Sequence, residues 1–201
     1  RGLEKGTGSS SVILSEGELE ITGTTGTITG ASGSGIFAVY GTLKISGGNI
    51  TGNYARWNGG GVNVVGAHLI LSGGSIYGNT VDSCGAGVYL ERSTLEMMGG
   101  IIGGEANIGN SAVSGGGLYL FYSTAQIMGG VISNNSASAE TLGGGGIYVG
   151  LGSSAVVSNV NISKNTANYA GGVYVEGRFE INAGAEITEN TAENDGGAVW
   201  G

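Results

Sequence analysis

Apolar and polar positions alternate along this chain in short bursts, and the bursts return at a nearly fixed interval. The clearest is a glycine run followed by aliphatic, variable, aliphatic: Gly59-Gly60-Gly61-Val62-Asn63-Val64, Gly85-Ala86-Gly87-Val88-Tyr89-Leu90 and Gly115-Gly116-Gly117-Leu118-Tyr119-Leu120. It continues as Gly144-Gly145-Gly146-Ile147-Tyr148-Val149, Gly171-Gly172-Val173-Tyr174-Val175 and Gly196-Gly197-Ala198-Val199-Trp200, with a weaker first copy at Gly35-Ile36-Phe37-Ala38. The first aliphatic falls at Ile36, Val62, Val88, Leu118, Ile147, Val173 and Val199, in steps of 26, 26, 30, 29, 26 and 26. A period in this range marks a solenoid, each repeat being one coil stacked on the last.

Two further bursts lie inside each repeat. One reads Leu43-Lys44-Ile45-Ser46-Gly47-Gly48, Leu69-Ile70-Leu71-Ser72-Gly73-Gly74, Leu95-Glu96-Met97-Met98-Gly99-Gly100 and Ala125-Gln126-Ile127-Met128-Gly129-Gly130. The other is Ile-x-x-Asn: Ile50 with Asn53, Ile76 with Asn79, Ile132 with Asn135, Ile162 with Asn165 and Ile187 with Asn190. Period-2 alternation within a burst predicts a strand with one face inward. Three short strands per coil, in about seven coils of 26–30 residues, predict an all-β, right-handed parallel β-helix. At roughly 4.8 Å per coil, the rod is about 35–40 Å long. Matching aliphatics then form inward columns. The repeated asparagines Asn53, Asn79, Asn110, Asn135, Asn165 and Asn190 predict an amide ladder along one corner.

Composition agrees with this picture. Forty-five glycines in 201 residues would suggest a low-complexity chain, but the 40% of hydrophobic residues sit at regular positions and build a core. The absence of proline suits strands that donate to both neighbours. One solenoid over residues 1–201 is expected, with 1–30 as an atypical first coil and 31–201 as regular repeats. Ser11 to Leu14 and Glu18 to Ile21 supply the strands of that first coil. A start without Met and an end in mid-repeat point to a piece of a longer protein.

Charge narrows the partners. The net charge is −8 and the seven cations are spread thinly, so nucleic acid is not an expected partner. No apolar run is long enough to span a bilayer, so no membrane insertion by this segment is expected. Cys84 is the only cysteine and His68 the only histidine. Neither has partners at ligand spacing, so no metal site and no cofactor are expected, and Cys84 reads as an inert thiol in a turn. Two coils are longer than the rest: Gly103 to Gly109 reads as an insertion before Asn110, and Ser136 to Leu142 as padding after Asn135. Such insertions form loops on a solenoid's surface.

The phrases Gly-Gly-Ala/Gly-aliphatic and aliphatic-x-x-Asn resemble the repeats of the chlamydial polymorphic membrane proteins and, more broadly, adhesin-like β-helix passengers displayed on microbial surfaces. Gly196-Gly197-Ala198-Val199 matches the first motif to the letter; elsewhere Gly replaces Ala, and Ile replaces the family's Phe in the second. The chain is thus similar in architecture over residues 31–201 rather than a member of that set. The resemblance implies a secreted or cell-surface β-helical passenger.

The residue between two inward aliphatics points outward. That position is held by Phe37, Asn63, Tyr89, Tyr119, Tyr148, Tyr174 and Trp200, which predicts an aromatic stripe interrupted at Asn63. Such a stripe offers a face to sugars or proteins, or packs on itself to shield the sheet. Tyr119 and Tyr148 in its middle are expected to be removable without opening the core. Catalysis by two carboxylates is not expected. Asp82 and Asp195 are far apart in sequence, and Glu91 and Glu176 lie three coils apart, roughly 14 Å. The Thr22–Thr29 cluster has no continuation in later coils, against an ice-binding surface. The reading is a non-catalytic adhesin or binding passenger for a glycan or extracellular protein receptor. A self-assembling rod, stacking end to end through open strand edges, is the alternative, and a polysaccharide-active lyase or hydrolase the third.

Overall fold

In the computed structural model, which describes residue 11 and residues 13–105 and 107–201, the three bursts of each repeat become strands on three faces of a coil. The first face carries Val88–Glu91, Leu118–Phe121, Ile147–Val149 and Val173–Val175. The second carries Thr94–Met97, Thr124–Ile127, Ser154–Val157 and Arg178–Ile181. The third carries Ile101–Gly103, Val131–Ser133, Asn161–Ser163 and Glu186–Thr188. In two earlier coils one unbroken strand traces all three faces, Ile36–Thr51 and Val62–Tyr77. All pairings are parallel, and Ile36, Val62, Val88, Leu118, Ile147, Val173 and Val199 stack in one register. Ile13–Ile21 and Thr27–Ile28 pair with Ile36–Thr51 and so form a first coil. The described residues contain no helix. The fold is the all-β parallel solenoid of about seven turns that the period predicts.

Each coil has one strand more than the sequence reading assigns. Tyr54–Ala55, Thr80–Val81, Ser111–Ala112, Ser136–Ala137, Thr166–Tyr169 and Thr191–Asp195 form a separate six-stranded sheet on a fourth face. Most are two residues long, too short for an alternation to register. Their inward residues are small, and Ala55, Val81, Ala86 and Ala112 form a cluster of their own. Ser136 and Ala137, read as padding, belong to this sheet by pairing with Ser111 and Ala112; the extra length of that coil begins at residue 138.

The core is a set of columns. Leu43, Leu69, Leu95, Ala125 and Ala155 stack on one face, and Ile50, Ile76, Ile102, Ile132 and Ile162 on another, all buried. Burying each Leu or Ile stabilises the fold by about 1.5–3 kcal/mol. At the corner after the third face, the six asparagines form a continuous ladder. The side-chain Nδ2 of the first five donates to the Oδ1 of the next coil: Asn53 to Asn79 at 3.0 Å, Asn79 to Asn110 at 3.0 Å, Asn110 to Asn135 at 2.9 Å, Asn135 to Asn165 at 3.0 Å and Asn165 to Asn190 at 2.9 Å. Each also donates to an isoleucine carbonyl of the previous coil, as Asn135 does to Ile102 at 3.0 Å. Each Oδ1 accepts a backbone N–H too, as that of Asn165 does from Asn135 at 2.9 Å. The ladder fixes the glycines that precede the first face. A Cβ on Gly117 would stand 2.6 Å from the Gly146 carbonyl oxygen and 2.8 Å from Asn135 Nδ2. Only glycine lets the next strand start against an amide.

Candidate binding surfaces

The outward position of the first face is held in register from Phe37 through Asn63, Tyr89, Tyr119, Tyr148 and Tyr174 to Trp200. The tyrosine rings stack, with centroids 5.5 Å apart for Tyr89–Tyr119, 4.5 Å for Tyr119–Tyr148 and 4.9 Å for Tyr148–Tyr174, and Trp200 lies tilted on Tyr174 at 5.2 Å. They do not form an exposed stripe. Tyr89, Tyr148 and Tyr174 are buried, Phe37 and Tyr119 partly so, and only Trp200 is open, at 39% exposure.

The cover comes from the glycine-rich turn that precedes each strand. Gly85 adopts a left-handed φ of 67°, and a Cβ there would lie 2.8 Å from Tyr89 Cβ; Gly115 repeats this over Tyr119, again at 2.8 Å. The turn curls over the side chain four residues on. Tyr169 and Ala170 add to the packing around Tyr148 and Tyr174. Burial pushes the Tyr89 hydroxyl up to about 12 and raises Tyr119, Tyr148 and Tyr174 as well. The column is therefore core-like, and the expectation that Tyr119 and Tyr148 can be cut back without opening the core does not hold.

The surface is concave where the repeat is broken. Gly103, read as the start of an insertion, closes the third-face strand by pairing with Ser133, so the extra length begins at Gly104. There Ile108 N–H donates to the Glu105 carbonyl at 3.2 Å and Asn134 Nδ2 holds the Gly104 carbonyl at 2.5 Å. On one side lies an apolar cleft of about 310 Å³ with Tyr77, Ile101, Ile108 and Val131. On the other lies a polar cleft of about 370 Å³ with Asn107, Ser111, Asn134, Ser136, Lys164 and Thr166. A smaller cavity opens at Asn63, where the aromatic column lacks a ring.

Other chemistry is dispersed. His68 Nδ1 lies 2.5 Å from Thr94 Oγ1, and its Nε2 is 3.7 Å from Glu96. The sequence reading missed these neighbours because they lie one coil away. Arg92 pairs with Glu91 at 2.5 Å, and Arg178 with Glu180 at 2.9 Å. Cys84 sits in a bridge between Asn58 and Ser114, and burial raises its thiol pKa. No group of three or more possible metal ligands occurs among the described residues. No helix among them is long and apolar enough to cross a membrane.

Two hydroxyl columns escaped the sequence reading. Ser93, Ser123 and Ser153 are buried at a corner, Ser123 N–H donating to Ser153 Oγ at 3.1 Å and Ser93 N–H to Ser123 Oγ at 3.0 Å. On the fourth face Thr80, Ser111, Ser136, Thr166 and Thr191 line up outward, in a single file beside unlike residues. This file does not extend the Thr22–Thr29 cluster, since Thr27 stands in the third-face column of Asn49, Ser75 and Ile101. The signal was the Thr or Ser that follows each ladder asparagine from Asn79 onward.

Comparison with curated proteins and with solved structures found no match. A family model described as a right-handed β-helix region matches residues 66–200, and the chain belongs to that family.

Proposed function

We propose that this solenoid is a non-catalytic binding rod of a secreted or cell-surface, adhesin-like protein, displaying clefts to a glycan or protein receptor. The observation that carries the reading is the 103–109 loop. It is anchored to the next coil, and an apolar and a polar cleft lie side by side around it. Concave surfaces with exposed apolar side chains, here Ile101 and Ile108 at 39% and 44%, mark interaction sites on soluble proteins. The continuous core gives such a loop a rigid mount, and loops on rigid scaffolds are where binding residues concentrate. The fold itself serves binding proteins and polysaccharide-active enzymes alike, so the reading rests on the site.

The test is a glycan and extracellular-matrix array probed with the chain and with an Ile108→Ser/Lys164→Ala variant. Both positions are exposed, so the variant keeps its fold. Binding by the parent and loss in the variant supports the loop as the receptor site. Equal binding by both, or by neither, refutes it.

A further inference from the structure

The missing ring leaves a cavity with its own chemistry. At Asn63 about 180 Å³ is open, lined by Ser34, Phe37, Arg56, Trp57, Asn58 and Asn63. Pockets for drug-sized ligands are usually larger, upward of roughly 300 Å³, so this one suits a single six-membered ring. Phe37 is half-buried and presents an apolar wall; Trp57 is 68% exposed and presents an open indole face. Aromatic faces of this kind pack against the C–H face of a saturated ring.

The polar groups are set for a ligand with both a donor and a negative charge. Asn63 Nδ2 donates to the Asn58 carbonyl at 3.2 Å, which fixes the amide's orientation. Its Oδ1 is buried and has no hydrogen-bond partner among the described residues. A buried acceptor left unpaired costs about 1–3 kcal/mol, so a hydroxyl or N–H donor entering here is favoured. Arg56 lies over the Trp57 ring at 5.6 Å and makes no ion pair among the described residues. The carboxylate one coil on, Asp82, is taken up by the Tyr54 hydroxyl. The guanidinium is thus held beside the cavity with its donors free for an anion. The chain as a whole, at −8, offers an anionic ligand no general attraction, so this cation must supply the local one.

We infer that the gap at Asn63 binds an acidic pyranose, a hexuronate unit, with its ring against Trp57 and Phe37, a hydroxyl donating to Asn63 Oδ1 and its carboxylate on Arg56. The inference rests on the binding reading above but on a different part of the rod from the 103–109 loop. Either site can therefore fail without the other.

The experiment is an NMR titration of the whole chain, following the Asn63 side-chain amide and the Trp57 indole N–H. The probes are D-glucuronate and D-galacturonate, their uronate trimers, and D-glucose and D-galactose. Saturable shifts at both groups are expected, with the neutral sugars at least tenfold weaker. Arg56→Gln should erase the preference for acid over neutral sugar. Asn63→Tyr, which fills the cavity with the ring found in neighbouring coils, should weaken uronate binding at least tenfold. A trimer that binds more tightly than the monomer makes a polyuronide the ligand; equal binding makes it a single uronate. Absence of a saturable shift, equal response to acid and neutral sugars, or binding that survives Asn63→Tyr overturns the proposal.

Discussion

Two columns run side by side along this rod, one of amides and one of aromatic rings, and they tolerate change very differently. The amide column reads Asn in every coil from Asn53 to Asn190, because the two donors and the acceptor of each member up to Asn165 are met by its neighbours. A different residue at one step would orphan groups in the coils on either side. The aromatic column is held by stacking and burial, which make no directional demand. It accepts Phe37, Trp200 and even Asn63 in place of tyrosine. Directional columns have to be uniform, whereas packed columns admit an exception, and the exception leaves a cavity.

The largest effect expected is from Asn135→Leu, in the middle of the ladder. It leaves one side-chain N–H and the backbone N–H of Asn110 without an acceptor and removes the amide donor to the Ile102 carbonyl. At about 1–3 kcal/mol for each orphaned group, partly relieved by relaxation, the loss should be about 4 kcal/mol by urea denaturation. A loss under about 1 kcal/mol would mean that the ladder is ornament on the core. Tyr148→Ala comes next. Tyr148 is 1% exposed and stacked on both sides, so truncation should cost about 3 kcal/mol, the range for buried aromatics. The control is Tyr40→Ala, 70% exposed, expected to stay within about 0.5 kcal/mol. If Tyr148→Ala behaves like that control, the aromatic column is an outer surface after all.

That second prediction reverses what the sequence suggested, and the reason is physical. Periodicity tells which side of a strand a residue takes, so the register of Tyr89, Tyr119, Tyr148 and Tyr174 was legible. It does not tell what folds over that side. The cover is backbone, the left-handed turn at Gly85 or Gly115, and glycine leaves no side-chain pattern to read. The Asn and Ile columns were legible because each pairs one residue type with itself. The fourth face was not, because strands as short as Thr80–Val81 have no alternation to count. The Asn63 cavity was half legible: the break in the aromatic series was plain, while Arg56 and Trp57 reach it only through the fold of the turn.

The aromatic column should also weaken in alkali. The Tyr89 hydroxyl is pushed up to about 12 in the folded chain, chiefly by burial, against an ordinary value near 10. Between these values the unfolded chain has lost a proton that the folded chain keeps. Stability is therefore whole below about pH 10 and falls as pH rises towards 12, by on the order of 2 kcal/mol for this one group. Tyr89→Phe, which keeps the ring and removes the proton, should flatten part of that fall. Urea midpoints at about pH 9 and about pH 11 would show it, and the same slope in both proteins would count against a buried hydroxyl.

The smallest effect expected carries the opposite sign. Asn63→Tyr puts a ring between Phe37 and Tyr89, at the register position their coils already share. The turn over this position matches the one over Tyr89: Gly59 takes φ 65° and stands over Asn63 Cβ as Gly85, at φ 67°, stands over Tyr89 Cβ. The substitution removes a buried carbonyl oxygen that has no partner among the described residues and adds a stacking contact worth about 0.5–1.5 kcal/mol, offset by the loss of the Asn58 hydrogen bond. A net gain of about 1 kcal/mol, or about 2–4 °C in Tm for a chain of this size, is expected. A gain together with lost uronate binding would mean that asparagine stands here at a cost in stability, which is the mark of a functional position. A loss of stability would mean that Asn63 fits its turn better than a ring does, and that the column is less tolerant than its stacking implies.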